Sequence, residues 1–446
     1  MREYWGMSLR FMLVVGLVCA SSVAHADFVR MQMDDEYQGV TVRLTDFAEL
    51  QPYLADPGLP PRPQADPFYD PRSPGSWLDS WLMPTWDTYA ASYSGSDISD
   101  IPVMSLLADA PAMFGHFYGG GMTLTSRFID CMGSEATAVT DVPLAGRSRR
   151  THVGENNKAL THDRVYLRYN HYHRASTASV DCPFYGSTRR DFHLDSYTLA
   201  AEKTFGDGIW SLEARMPFAG QMDFSDSLLS VHGERVGNLA LILKRMLHLS
   251  EHTSVVGGLG IDVPTGSSVK GEAFWIDYKV KNDAIHLLPY MGFLGAWDNR
   301  YFANGFVQFD VPVNGQRVSI DDYFIGEVEL GKFHEQTLLH LDVSVGRWLQ
   351  RNPDAPLLTG LAFLTELHYT TALNNADHLF WYGFFMDPDL HFHNPGNQVS
   401  LLNLTIGLHS EWRNNTSLRI GSVFPLRTGT DRTFDAELQV QLERRF

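Results

Sequence analysis

The residues of the C-terminal stretch Phe434–Phe446, FDAELQVQLERRF, alternate in polarity. The even positions hold apolar residues except Arg444, and the odd positions hold only polar or charged residues. Successive side chains of a β-strand point to opposite faces. The stretch therefore predicts a strand with one apolar face and one polar face.

The same alternation recurs upstream and predicts twelve strands in all. They span 163–173, 193–205, 208–219, 236–249, 252–263, 284–297, 300–312, 336–350, 357–371, 399–412, 415–427 and 434–446. Each is as long as the roughly 9–11 residues with which a tilted strand crosses a bilayer. The strands therefore predict a membrane protein that crosses with β-structure.

Short and long connections alternate along this series. Turns of a few residues, such as 206–208 and 413–415, separate the members of successive pairs. Between the pairs lie long links, at 174–192, 220–235, 264–283, 313–335 and 372–398. Short turns at one end and long loops at the other are typical of outer-membrane barrels. A sheet in lipid must also close into a ring, because the unpaired backbone groups of an open strand edge cannot face lipid. The sequence predicts an all-β fold, an antiparallel transmembrane β-barrel of about twelve strands, or fourteen if residues 111–147 add a pair.

Composition excludes other classes of protein. The 446 residues include 52 acidic and 35 basic ones, for a net charge of −17, which argues against nucleic acid as a partner. Charged residues make up 20% and hydrophobic residues 44%, so disorder throughout the chain is excluded. Nothing in the sequence indicates a redox cofactor, a nucleotide or haem, and we predict no cofactor.

The N-terminus carries a targeting signal. The apolar run 11–20 is too short to cross a bilayer as a helix, and Ala24-His25-Ala26 fits a signal-peptidase site. We expect a signal peptide over residues 1–26 with cleavage after Ala26, and export to the outer membrane.

Residues 27–160 precede the barrel, which we assign to 161–446. This region is predicted to be an irregular periplasmic extension or a plug inside the barrel. The best candidate for a segment entering the barrel is 113–118, MFGHFY, which is followed by three glycines. Two cysteines remain after cleavage, Cys131 and Cys182, and in an exported protein they permit one disulfide.

The signal peptide, the amphipathic strands and the terminal strand ending in Phe446 together resemble bacterial outer-membrane β-barrels. The resemblance implies that outer-membrane lipid surrounds the chain and that the barrel-assembly machinery reads its last strand. Residues 258–266, GLGIDVPTG, resemble a motif of outer-membrane transporters, including those near aromatic-degradation genes. Residues 163–173, DRVYLRYNHYH, resemble porin-like barrels of planctomycetes. Fatty-acid uptake barrels, which are also similar, have fourteen strands and an N-terminal plug.

The polar strand faces should point into the barrel. The candidate pore-lining residues are Arg164, Arg168, Glu202, Glu213, Arg215, Asp342, Glu366, His368, Arg419, Glu437, Glu443 and Arg445. Charged residues in a pore select solutes by sign. The alternative is that these side chains pair across the interior and fill it. A shift of one residue in register would reverse every one of these assignments.

Aromatic residues near strand ends have two readings. Tyr301, Trp348, Tyr369 and Trp412 fit the girdles at the two membrane interfaces. The same rings could line a path for an apolar substrate.

We predict a porin or transporter that passes small solutes or a small apolar molecule, and not an enzyme. One alternative is a lipid hydrolase in the barrel wall, for which His171, His173 and Ser176 give a partial match. Another is a surface adhesin or structural barrel, since long loops are binding surfaces.

One loop motif has two readings. Asp389, His391 and His393 alternate along a long link, and alternate residues of an extended segment share a side. They form either a metal site or ordinary polar surface, and we predict no metal site from the sequence.

Overall fold

The structure is a computed structural model. It describes residues 28–33, 40–45, 104–119, 121–130, 132–142, 150–184, 186–219, 224–225, 229–232, 236–323, 325–383, 388–394 and 396–446. The predicted signal peptide and Cys131 lie outside these residues. No helix in the described part of the chain is long and apolar enough to cross a membrane.

The chain divides into two compact units, Met1–Ser94 and Gly95–Phe446. The described part of the first unit is an antiparallel hairpin of β1 (Phe28–Met33) and β2 (Val40–Thr45). The second unit begins, in its described part, with a short helix α1 (Met104–Asp109) and continues with β3 (Met122–Ile129) and β4 (Glu135–Val142).

The remaining twenty strands follow in chain order. They are β5 (Arg164–Cys182), β6 (Gly186–Phe205), β7 (Trp210–Ala219), β8 (Phe224–Ser225), β9 (Leu229–His232), β10 (Leu239–Leu249), β11 (Thr253–Val263), β12 (Val269–Ala273), β13 (Ile276–Lys281), β14 (His286–Trp297), β15 (Tyr301–Pro312), β16 (Gln316–Asp322), β17 (Gly326–Phe333), β18 (Leu338–Arg351), β19 (Leu358–Ala372), β20 (Leu379–Trp381), β21 (Asp389–His393), β22 (Ser400–Trp412), β23 (Thr416–Pro425) and β24 (Ala436–Arg445). A 3₁₀ turn, Gly429–Asp431, precedes β24.

Twelve of these strands form a closed antiparallel barrel. Around the ring they run β5, β6, β7, β10, β11, β14, β15, β18, β19, β22, β23 and β24. The ring closes because β5 pairs with β24 on one side and with β6 on the other. Each strand predicted from alternation is present, with bounds that differ by a few residues except where β5 and β6 extend further.

The outer face of the barrel is apolar and the inner face is polar on many strands. On β5, Val165 and Leu167 are exposed on the outside, whereas Arg164, Arg168 and Asn170 are buried on the inside. The last strand repeats this pattern, with Leu438 and Leu442 exposed and its glutamine and glutamate side chains buried. An outward apolar band around a closed ring is the surface that a bilayer requires of a transmembrane barrel.

Residues 174–192, predicted to be a loop, are instead the continuation of β5 and β6. Beyond a register break between Tyr172 and Ser176, these two strands pair on as far as Cys182 and Gly186. The prediction was wrong because few residues of this hairpin are apolar, and those that are buried, such as Ala175, Ala178 and Cys182, do not alternate regularly, so its sequence lacks the pattern that marks a membrane strand.

The extension of β5 carries an additional sheet outside the ring, in the order β20-β21-β3-β4-β5. A second sheet, ordered β17-β16-β13-β12-β9-β8, forms from the long links between barrel strands. Region 111–147 therefore does contain a strand pair, but this pair joins the extension of β5, and the barrel itself keeps twelve strands.

The two sheets pack together over a hydrophobic core at the long-loop end of the barrel. Leu124 and Leu390 from the first sheet and Val280 and Ile320 from the second are fully buried in it. The rings of Tyr278 and Phe392 meet across the sheets, with centroids 5.7 Å apart. We call this pair of sheets the cap.

Candidate functional site

The interior of the barrel is occupied by two segments of the same chain. The first, residues 104–119, begins at the short-turn end, where Arg445 donates a hydrogen bond to the carbonyl of Ala108. It reaches the long-loop end at Tyr118, whose hydroxyl donates to the carbonyl of Ala175 and whose own carbonyl accepts from Thr433. We call residues 104–119 the ascending segment.

The second segment, residues 150–163, runs back in the opposite direction. At the long-loop end Arg150 bonds to Asp310 and to the carbonyl of Gln336, and at the short-turn end Thr161 donates to the carbonyl of Gly208. Strand β5 then starts at Arg164. We call residues 150–163 the descending segment, and the hairpin β3–β4 in the cap lies between the two segments in the sequence.

The two segments pair with each other near the middle of the barrel. The amide of Met113 donates to the carbonyl of Asn157 at 2.8 Å, and the amide of Asn156 donates to the carbonyl of Phe114 at 3.1 Å. Next to this pair, Gly115 has a φ of +62°, and a Cβ there would lie 2.4 Å from the Cα of Glu155. Only glycine fits such a crossing without strain.

Glu366 on β19 anchors the ascending segment. Its two carboxylate oxygens accept the amide protons of Phe114 and Gly115, each at 2.9 Å, and Ser344 donates to it at 3.0 Å. Hydrogen bonds to a buried charged acceptor are worth about 1.5–3 kcal/mol each. The carboxylate therefore holds the segment through its main chain.

The ring of Phe114 is seated on two glycines of the wall. Gly407 on β22 and Gly421 on β23 pair with each other across the strands. A Cβ at Gly421 would lie 2.8 Å from the Phe114 ring, and one at Gly407 would lie 2.3 Å from it. The absence of two side chains thus creates the slot into which the ring fits.

Charged side chains of the wall surround the descending segment. Arg164 bonds to Glu202 and Glu443, each at 2.9 Å, and also donates to the carbonyl of Asn156. Lys244 bonds to Glu202 at 2.9 Å and to the side-chain oxygen of Asn157 at 2.8 Å. These charges are buried, and each cation has an acidic partner in the barrel wall as well as an acceptor on the segment.

Other side chains of the wall extend the same arrangement. Arg215 bonds to Glu213 and donates to the carbonyl oxygens of His152 and Val153. Gln308 accepts from the amide of Val153 and donates to the carbonyl of Thr151. The wall therefore recognises the main chain of the descending segment along its length.

The twelve pore-lining candidates all project from the inner side of the ring. Eleven are buried, and Arg445 is half-buried at the short-turn end, where it pairs with Glu411. Asp342 joins wall and segment, because it accepts from His368 of β19 and from His152 of the descending segment, each at 2.7 Å. The pairing alternative describes these contacts, and the role of the twelve residues in conduction stays a prediction.

The remaining candidates also contact the interior segments. Arg168 pairs with Glu155 at 2.6 Å, Arg419 donates to the carbonyl of Ala112 at 2.7 Å, and Glu437 pairs with His116. Four residues that were not among the candidates also bind these segments: Lys244, Gln308, Gln439 and Gln441. Their position in the alternation of the predicted strands was sufficient to place them on the inner face.

One side of the inner wall is apolar. Ile242, Leu288, Leu294, Phe306 and Trp348, from β10, β14, β15 and β18, form a buried cluster with residues of both interior segments. Trp348 was predicted as a possible girdle residue, and that position is wrong. It shares the inner face with Asp342 because the two residues are an even number of positions apart.

A small cavity lies within the described interior. It measures about 20 Å³ and is lined by Arg150, Thr151, Glu155, Arg168, Ser196, Thr198, Arg215 and Pro217. About 10–15 Å³ is the space that one water molecule needs. This cavity therefore has room for about one water molecule.

Cys182, one half of the predicted disulfide, is buried at the end of β5. Its sulfur lies 3.7 Å from a carboxylate oxygen of Asp130. Because Cys131 lies outside the described residues, the disulfide stays a prediction.

The chain was compared with known protein families, curated proteins and solved structures. No protein-family model and no curated protein matches the sequence. Among solved structures, similarity was found to an outer-membrane channel from Pseudomonas putida F1, with 10% identity and a TM-score of 0.40 over 65% of this chain and 97% of that chain. The NanC porin matches with 9% identity and a TM-score of 0.36 over 63% of this chain and 98% of that chain. A mutant of the monoaromatic hydrocarbon channel TodX matches with 8% identity and a TM-score of 0.31 over 76% of this chain and 92% of that chain.

The strand pairing and the exposure of side chains identify the architecture. A closed ring of twelve antiparallel strands presents apolar side chains outward, short turns at one end and long connections at the other. These are the properties of an outer-membrane barrel. The chain is a twelve-stranded transmembrane β-barrel with a cap at one end and two segments of its own chain inside.

Proposed function

We propose that the protein is an outer-membrane transporter for small solutes whose channel is closed by the ascending and descending segments. The observation that carries this proposal is the pairing of the polar inner wall with main-chain atoms of the segments. Charges that would face water in an open pore bond here to carbonyl and amide groups. A path opens when the middle of a segment moves away from the wall.

The character of the wall supports two kinds of solute. On one side the wall presents arginine, lysine and glutamate side chains, and on the other it presents the apolar cluster around Phe306 and Trp348. A small molecule with a polar and an apolar side would find partners on both. Small solutes or small apolar molecules therefore remain the proposed cargo.

The proposed route to this location follows from the sequence. A cleavable signal peptide exports the chain, and the strand ending in Phe446 serves for assembly into the outer membrane. Outer-membrane lipid then covers the apolar band. We include these partners in the proposal, and the position of the cleavage after Ala26 stays a prediction.

We favour transport over hydrolysis at the barrel wall. His171 lies on the outer face and bonds to Asp195 at 2.8 Å, which is half of a catalytic arrangement. Within the described residues, Ser176 has no hydrogen bond to His171, and a nucleophile needs its base within reach. The surface-adhesin alternative predicts that no variant of the interior changes permeability.

The test compares solute flux into proteoliposomes for the wild type and Gly421→Val. The added methyl groups enter the space of the Phe114 ring and touch the ascending segment first. We expect at least a tenfold faster swelling in a small neutral sugar. Ile420→Val, on the outer face of the same strand, is the matched control and should behave as the wild type.

The variant must first be shown to be folded by its heat-modifiable mobility in gels. A folded Gly421→Val barrel that stays as impermeable as the control would overturn the proposal. The double variant Gly421→Val/Phe114→Ala distinguishes a steric effect from general damage. Its flux should fall below that of Gly421→Val, because the valine then occupies the space that the ring has left.

A further inference from the structure

Three histidines form a cluster on the outer face of the barrel. His171 and His173 are two residues apart on β5, and His193 lies on the neighbouring strand β6. One ring nitrogen of each lies within 4.8 Å of the others. We propose that these three imidazoles bind a divalent transition-metal ion, with Zn²⁺ as the representative, at the point where β5 leaves the barrel. This site is independent of the proposed transport function.

Strand geometry brings the three side chains to one face. Moving up the outer side of β5 and β6, one meets first Leu167 beside Leu199 and then Tyr169 beside Tyr197, whose ring centroids are 5.0 Å apart. The histidines follow directly beyond this aromatic pair. Aromatic pairs of this kind mark the membrane interface, so the cluster lies at the edge of the apolar band, where water and ions have access.

The separations of the rings suit a common ligand. The centroids of His173 and His193 are 4.4 Å apart, and those of His171 and His193 are 5.7 Å apart. Nitrogen ligands on a tetrahedral Zn²⁺ lie about 3.3 Å from one another, given Zn–N bonds of about 2.05 Å. Because His173 and His193 are exposed, small rotations of their rings suffice to bring the nitrogens to this separation.

Asp195 orients one of the ligands. Its carboxylate accepts from Nδ1 of His171 at 2.8 Å and from the hydroxyl of Tyr169 at 2.7 Å. With Nδ1 protonated and held, Nε2 of His171 keeps its lone pair for a metal. A carboxylate behind a ligating histidine is the usual support in zinc sites. Asp195 is therefore a positioning residue for the site.

The neighbouring cation is held by carboxylates. Arg174, whose φ is +52°, donates a long hydrogen bond of 3.3 Å from its amide to Nδ1 of His193, which metal binding at that nitrogen would replace. Its guanidinium group pairs with Asp435 at 3.2 Å and with Asp191 at 3.7 Å. The two carboxylates offset the charge of Arg174 near the metal position.

A metal at this site would join β5 and β6 next to a break in their backbone pairing. His173 is the last residue of β5 that pairs with β24, and Ala178 is the first described partner of β4. Between these points the pairing of β5 with β6 is broken, from Tyr172 to Ser176. A metal held by both strands would fasten them where backbone pairing is missing, and so fix the cap to the barrel.

A second histidine cluster in the cap is a weaker candidate. His378 and His391 are hydrogen-bonded to each other at 3.1 Å, and His393 is hydrogen-bonded to Thr125 at 2.9 Å. Burial, and then the neighbouring His378, lowers the pKa of His391 and of His393. In the described part of the chain, only the cluster on β5 and β6 brings a nitrogen of each of three histidines within 4.8 Å of the others, so the cap cluster serves as the internal control.

The test is titration of the folded, full-length protein in detergent with Zn²⁺ by calorimetry. The protein carries a purification tag without histidines. We expect one equivalent of metal to bind. His173→Ala and His193→Ala should each lower the affinity at least tenfold, and His391→Ala should leave it unchanged. Asp195→Asn should lower the affinity by about ten- to a hundredfold, as expected for loss of a support behind a ligand.

A second measurement identifies the ligands directly. With Cu²⁺ in place of Zn²⁺, electron paramagnetic resonance should show coupling to three nitrogens in the wild type and to two in His173→Ala. In Asp195→Asn three nitrogens should remain, because this residue supports the site without binding the metal. No binding by the wild type, or binding that the His173 and His193 variants leave intact, would overturn the proposal. Loss of binding in His391→Ala alone would also overturn it and assign the metal to the cap.

Discussion

Glu366 shows how one side chain can hold a closed state. Its carboxylate lies inside the barrel and accepts hydrogen bonds from two consecutive amides of the ascending segment. In the described part of the chain, no strand of the wall pairs with this segment through backbone hydrogen bonds. A buried amide that loses its acceptor keeps the full cost of desolvation. Breaking only one of the two hydrogen bonds would leave a buried amide without an acceptor. This cost favours two distinct positions of the segment, one with both bonds made and one with both broken.

Glu366→Gln tests this anchor. The amide retains one acceptor oxygen but turns a donor toward the second main-chain amide, so one bond is lost. We expect local opening of the ascending segment to become easier by about 2 kcal/mol, which corresponds to roughly thirtyfold faster exchange. Hydrogen exchange measured by mass spectrometry should show this at Phe114 and Gly115. Glu327→Gln, on an exposed part of the cap, is the control and should change nothing there.

If exchange at Phe114 and Gly115 stays at the wild-type rate in Glu366→Gln, the anchor is not the carboxylate. A change spread evenly over all peptides would instead indicate general destabilisation of the barrel. The two results are readily distinguished because the descending segment and the barrel strands report separately.

Residue positions in the strands were predictable, whereas their partners were not. Period two places Arg164, Glu202 and Glu443 on the inner face from the sequence alone, as the structure has them. That Arg164 also bonds to the carbonyl of Asn156 depends on where a distant segment runs. Main-chain carbonyl and amide groups are nearly the same in every residue, so a sequence pattern cannot show which of them a side chain will bind.

Among the secondary-structure elements, the membrane strands could be predicted from the sequence pattern, whereas the cap strands could not. A strand that crosses a bilayer must alternate over ten or more residues, and that length makes the signal clear. The cap strands that lie in the long links are short, such as β12 with five residues and β20 with three, and they were predicted as loops. Their stability comes from packing two sheets on one core rather than from local pattern.

Phe392→Ala tests whether the cap is a separate packing unit. The ring is fully buried between the two sheets, and such truncations cost about 3–5 kcal/mol. We expect trypsin to cut the cap within 264–285 or 313–337 while the barrel keeps its heat-modifiable mobility. Tyr323→Ala, which removes a ring that is 86% exposed, is the control and should leave the cap resistant.

A different result would place the cap and the barrel in one cooperative unit. In that case Phe392→Ala would abolish the gel shift together with protease resistance. The continuous strands β5 and β6 run through both parts, so the outcome also measures how far packing is transmitted along them.

For the whole molecule, the closed ring follows from the bilayer, but the filled interior does not. Lipid forbids open strand edges, so the twelve strands that the alternation predicts must close into a ring. The threading of residues 104–163 through the ring and back has no counterpart in strand periodicity. It places β3 and β4 in the cap, beyond the barrel, with an interior segment on either side in the sequence.

This threading determines how the interior can be tested. Deleting residues 27–150 would remove the ascending segment together with the β3–β4 hairpin, so a change in permeability could arise from either loss. Substitutions at the contact of Phe114 with Gly421 leave both parts in place. They also test whether a local shift of a segment that is held at both ends is enough to open a path.

Whether the two interior segments close the barrel can be measured by single-channel recording of the folded, full-length protein in a planar bilayer. We expect the wild type to insert without stable open steps at low voltage, because its interior is occupied by its own chain. Gly421→Val in the same bilayers should give discrete openings. Large, steady openings of the unmodified protein would mean that the two segments do not close the barrel.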